Sequence, residues 1–144
     1  MREKALNLLG LMRKANALAI GETDSGAAAR SGQAKLLLLA SDASDNAVSR
    51  AEGFVYAKNI PLIVAPFTKE EISAKVGKSG CSMAAVCDTG FADAFMKELC
   101  ADEPEKYASA AEAVSRMHER AAGRRREAEA HERNKRTGKR RNNA

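Results

Sequence analysis

Residues 32–46 read Gly32-Gln33-Ala34-Lys35-Leu36-Leu37-Leu38-Leu39-Ala40-Ser41-Asp42-Ala43-Ser44-Asp45-Asn46. A small-residue turn leads through Lys35 into a wholly apolar run, which Asp42, Ser44, Asp45 and Asn46 close off. A strand without polar alternation is one covered on both faces. The Ser, Asp and Asn side chains behind it can accept from the free amides of a following helix. The stretch predicts a central strand that ends in a polar loop, and ligands gather at such strand ends in open α/β sheets.

Helical and strand patterns alternate on either side. Leu6, Leu9 and Met12 recur at helical spacing, and Asn16 ends that first helix. Leu18–Ile20 is a short extended piece. Gly21 breaks it, and a helix follows from Thr23 or Asp24 to Ser31, favoured by Ala27–Ala29 and weakened at Gly26 by about 1 kcal/mol relative to Ala. After the central strand, Val48, Ala51, Val55 and Lys58 mark a helix capped by Ser44 or Asp45, and Asn59-Ile60-Pro61 stops it. Leu62–Ala65 is a second buried strand. Thr68 and Glu71 form a capping box, Ile72 and Val76 face inward, and Gly77 is the stop. Ser82–Cys87 is a third buried strand. Asp88 or Thr89 then caps a helix carrying Phe91, Phe95 and Leu99. The pattern predicts an α/β fold: a three-layer α/β/α sandwich around a small, largely parallel or mixed sheet. It occupies residues 1–100.

Residues 101–144 differ. Tyr107, Ala111, Val114, Met117 and Ala121 give a thin apolar stripe, and little beyond Gly123 can be buried. The expectation is a helix loosely docked or projecting, followed by a disordered end. Charge divides along the same boundary: residues 1–100 hold 12 Lys and Arg against 11 Asp and Glu, whereas 101–144 hold 12 against 8. Arg124-Arg125-Arg126 and Lys139-Arg140-Arg141 concentrate the excess. A basic arm on a near-neutral domain is an electrostatic footprint for nucleic acid; a solvated tail that aids solubility has the same composition.

Several chemistries are disfavoured. Residues 1–117 contain no histidine, so Ser-His-Asp or Cys-His catalysis would have to borrow from the tail. Cys81, Cys87 and Cys100 form no CxxC, and no metal site is expected. Gly77-Lys78-Ser79 looks like the end of a phosphate loop, but Ile72 stands where the first glycine is required, and the segment reads as a surface turn. There is no GxGxxG, and no cofactor is expected. No apolar run is long enough to cross a membrane, and the charged start is unlike a signal peptide; the expectation is a soluble, cytoplasmic protein.

The run Leu8-Leu9-Gly10-Leu11-Met12-Arg13-Lys14-Ala15, then Gly21, then Arg30 through Ser44 is similar to bacterial YlxQ/YbxF-type proteins, within the superfamily of ribosomal proteins L-seven-A-e and L-thirty-e. Asn59-Ile60-Pro61 and Asp88-Thr89-Gly90-Phe91-Ala92 fit the same pattern. The resemblance covers residues 1–100. It implies a non-catalytic RNA-binding protein that recognises kink-turns, sharply bent internal loops flanked by sheared G·A pairs, in ribosomal or other structured RNA. Ribosome-associated proteins are further implied partners.

By resemblance, a Gly-x-Asn-Glu loop and its following helix read the kink. Gly21 stands as the glycine, Glu22 follows it, Thr23 replaces the asparagine and Asp24 the glutamate. Ala27 lies where stronger binders carry lysine. Lys35 and Arg30 are basic candidates beside the loop. The second RNA-facing element is assigned to Ala65-Pro66-Phe67-Thr68, where Phe67 either packs on a flipped-out nucleotide or staples the start of the helix. The Thr23 and Ala27 replacements predict weaker reading, by about 1–3 kcal/mol for each lost contact. The alternative function is a protein-interaction module that keeps the fold and docks partners on the stripe from Tyr107 to Met117.

Overall fold

A computed structural model describes the backbone of residues 2–137 and the side chains of residues 2–133. The elements are α1 (Arg2–Lys14), β1 (Leu18–Ile20), α2 (Glu22–Ser31), β2 (Leu36–Leu39), α3 (Asp45–Val55), β3 (Leu62–Val64), α4 (Lys69–Val76), β4 (Met83–Val86), α5 (Thr89–Asp102) and α6 (Pro104–Thr137). Caps form where acceptor side chains precede apolar periodicity. Ser44 accepts from the Ala47 amide, Thr68 and Glu71 make the reciprocal box, and Asp88 accepts from the Phe91 amide. Asp42 also accepts from the Lys69 amide at 2.8 Å, tying the loop after β2 to the start of α4.

The four strands lie in the order β1-β4-β2-β3. β2 and β3 are parallel, while β4 runs antiparallel to both its neighbours. The sheet is therefore mixed. A strand buried on both faces has no alternation, and its hydropathy carries no direction, so the leucine run reads the same in either sense. Leu36 and Leu38 face a core built with α1, α4, α5 and α6. Leu37 and Leu39 face a smaller core built with α2 and α3.

Gly26 belongs to that second interface. A Cβ there would stand 2.7 Å from the Phe54 ring, so the residue that weakens α2 in isolation is the one that lets it approach α3. α3 stops at Val55, before the expected Lys58: Tyr56 turns outward, 81% exposed, and Ala57 takes φ +57°.

The first half of the C-terminal helix is firmly and not loosely docked, while from Arg124 onward its described residues are almost all exposed. Tyr107 and Val114 are fully buried, and the Tyr107 hydroxyl donates to the Val64 carbonyl at 2.7 Å. β3 is an edge strand, and α6 covers it. Tyr107 and Val114 of the stripe are taken up by the protein's own core, while Ala111, Met117 and Ala121 are half-buried. α6 runs unbroken past Gly123 to Thr137. Lys139-Arg140-Arg141 lie outside the described residues.

Candidate nucleic-acid interface

The C-terminal ends of β1, β2 and β3 and the start of β4 share one end of the sheet. There β1 delivers Gly21, whose amide donates to the Met83 carbonyl at 2.9 Å. Gly21 has φ 91° and ψ 167°, a combination essentially reserved for glycine. A Cβ at this position would meet nothing within 4 Å. Backbone conformation selects the glycine, and the turn stays open to an approaching molecule.

α2 begins immediately behind it without a side-chain cap. α3, α4 and α5 each carry one. The Ser25 amide donates to the Gly21 carbonyl at 3.0 Å, and the amides of Glu22, Thr23 and Asp24 have no acceptor among the described residues. Open amides and the positive end of the helix dipole attract anions. Glu22 does not project freely: its carboxylate pairs with Arg50 of α3 at 2.6 Å. Thr23 and Asp24 are exposed.

Asp24 lines a hollow of about 230 Å³ with Arg13, Asn16, Leu18, Ile20 and Lys78. Lys78 comes from the loop between α4 and β4, which the β1–β4 pairing sets beside the Gly21 turn. One carboxylate acceptor thus lies among two cations and an uncapped helix start. This set can accept from base N–H groups while holding phosphate. Lys78 was missed as a site residue. Its signal was a lysine within Gly77-Lys78-Ser79-Gly80, where Gly77 and Gly80 both take positive φ, but only the strand order reveals what it adjoins.

Three sequence assignments are corrected. Phe67 is fully buried; its ring meets Phe95 edge-on at 6.4 Å, and the Arg2 guanidinium lies 5.0 Å above it. It cannot stack on a nucleotide, because an apolar ring before a capping box is drawn into the core. Thr68 is spent on the box, and the Pro66 carbonyl accepts from Arg2. This loop follows β3, three strand spacings or about 14 Å from the β1 edge. Arg30 and Lys35 are not beside the loop either. α2 descends the length of the sheet, so Arg30 in its last turn and Lys35 before β2 sit at the opposite end.

The remaining chemistry is quiet. Burial pushes the Cys81 and Cys87 thiols above their ordinary range, which disfavours the reactive thiolate. Among the described residues, no group of three His, Cys, Asp or Glu side chains could hold a metal ion. No helix among them is long and apolar enough to cross a membrane.

Residues 3–103 match the family described as Ribosomal protein L7Ae/L30e/S12e/Gadd45. The chain belongs to that family. A relative from Enterococcus faecium, named RNA-binding protein YlxQ, is 33% identical over 91 residues, covering 63% of this chain and 86% of the relative. A solved structure described as a protein with unknown function from Bacillus halodurans C superposes with a TM-score of 0.60 at 29% identity, over 65% of this chain and 94% of that one. The L7Ae-family match ends at residue 103, and α6 begins at Pro104.

Proposed function

We propose that this chain is a non-catalytic RNA-binding protein that grips a structured RNA of kink-turn type, ribosomal RNA being one source, through the Gly21–Asp24 turn and the Lys78 loop. Its place of action is the cytoplasm, and the reading requires no cofactor. One observation carries it: α2 is the uncapped helix among α2–α5, it starts behind an open glycine, and its exposed Asp24 shares a hollow with Lys78 and Arg13. Membership of a family with an RNA-binding relative supports the same ligand class. The burial of Tyr107 and Val114 within the α6 stripe weighs against a partner-docking module.

In this reading the helix start and the two cations hold backbone phosphates near the bend, and Asp24 accepts from guanine N–H groups. Aspartate reaches one methylene less far than glutamate, so the bases must come closer to the backbone. Gly21 permits that approach. The test is ultraviolet crosslinking of a kink-turn RNA to the full chain, with peptide mapping of the adducts. Crosslinks within residues 13–24 and 77–82 are expected. Adducts confined to residues 65–68 would contradict the assignment.

A further inference from the structure

Three adjoining hollows lie at the end of the sheet away from Gly21. Eight basic residues line them against a single acid, Asp88. The first hollow, between α6 and residues 58–63, is shared with the second through Lys58, and the second with the third through Lys35. Arg30, Lys58, Arg120, Arg124 and Arg125 form no salt bridge among the described residues. Lys35 donates only to the Gly32 carbonyl, at 3.3 Å. Asp88 is engaged as the cap of α5. Arg116 is paired with Glu112 on its own helix at 2.7 Å, and Lys106 lies over the Tyr107 ring. The other six cations have no carboxylate partner among the described residues. The surface is held by the end of α2, the loops before β2 and β3 and the start of α5 on one side and by α6 on the other.

We infer that this surface is a second RNA contact, which takes the phosphate backbone of a double-helical RNA segment flanking the one read at Gly21–Asp24. The inference rests on the reading of the chain as an RNA-binding protein. Its shape selects an extended polyanion. Lys106 and Arg124, at the two ends of the row on α6, stand about 27 Å apart along the helix, more than one phosphate or nucleotide can span. Arg116, Arg120 and Arg124 recur every four residues, about 6 Å per step on one side of the helix.

No aromatic residue lines any of the three hollows. They offer nothing for unpaired bases to stack on, which favours a duplex with its bases paired over an open single strand. Cations that neutralise phosphates release the counterions condensed on the RNA, so binding here depends on salt and not on sequence. Five of the eight cations lie on α6, beyond the segment that matches the family, and three within that segment.

The test is binding of the full chain to a long unkinked RNA duplex across a salt series, with the wild type and the triple variant Lys58→Gln, Arg120→Gln, Arg124→Gln. All three side chains are exposed, and an unchanged Tm serves as the folding control. The expected result is a slope of log affinity against log salt shallower by about 2–3 in the variant, with about tenfold or greater loss of duplex affinity at low salt. A wild-type slope and affinity in the variant overturn the inference. So does an intact duplex interaction with lost binding to polyglutamate, which assigns the surface to acidic protein. Preference for a kinked over a straight RNA reports separately on Gly21–Asp24. If the wild type shows no such preference, the kink-turn reading fails, and the salt series still decides this surface.

Discussion

The amide of Gly21 donates to the carbonyl of Met83 across 2.9 Å. This bond extends the β1–β4 pairing by one residue and brings the loop before β4 against the turn after β1. Lys78 and Asp24 consequently line one hollow although 54 positions separate them in the chain. The account of RNA binding rests on that juxtaposition.

Asp24 supplies the directional part of the contact. Asp24→Asn keeps the size and removes the charged acceptor. We expect preference for a kinked over a straight RNA to fall by about 1–3 kcal/mol, with straight-duplex affinity equal or slightly higher. Calorimetric titration of both RNAs measures the difference. An unchanged preference would show that Asp24 does not read the bend.

Gly21 is held by its backbone angles, since a Cβ there has open space. Gly21→Ala should cost about 1–3 kcal/mol of stability through strain alone. Chemical denaturation measures the loss. RNA affinity should fall as well, because the alanine methyl stands on the approach to the open amides. Wild-type stability in this variant would contradict the strain argument.

Phe67 separates a core role from a stacking role. Phe67→Ala should lose about 3–5 kcal/mol of stability, while the folded fraction keeps its kink preference. Denaturation combined with RNA titration below the transition distinguishes the two. A variant of full stability that has lost RNA binding would restore the stacking role.

The Arg2–Glu71 pair sets an acid dependence. The hydrogen bond from Arg2, then that from the Thr68 amide, hold the Glu71 carboxyl below its usual 4.5. A carboxylate with a lowered folded pKa stabilises the fold at pH above the unfolded value, and the contribution is lost as pH falls through the folded value. Glu71→Gln should therefore narrow its Tm deficit against the wild type as pH drops below 4.5. Thermal unfolding from about pH 6 to pH 3 follows the two curves. A deficit constant across that range would remove the ion pair from the explanation.

The fold was legible where local chemistry acts alone. Caps at Ser44, Thr68 and Asp88, the stops at Asn16 and Gly77, and the inward faces of Leu9, Ile72 and Phe95 follow from spacing and hydrogen-bonding capacity. Strand direction was not legible, because Leu36–Leu39 and Met83–Val86 are apolar throughout. That gap hid Lys78. Without the insertion of β4 between β1 and β2, nothing places Lys78 beside Asp24. Arg30 and Lys35 are near Gly21 in sequence, yet one descending helix separates them from it. The tight seat of α6 was hidden for another reason: it depends on the Tyr107 hydroxyl meeting the edge carbonyl of Val64, a contact between distant segments.

The most direct measurement is the ratio of affinities of the full chain for a kink-turn RNA and for a straight duplex of equal length, in the wild type and in Lys78→Gln. The account predicts that the wild type prefers the kinked RNA and that the variant loses a substantial part of that preference, although its fold is unchanged. Equal affinity of the wild type for both RNAs, falling steeply with salt, would contradict it and leave only general attraction to phosphate.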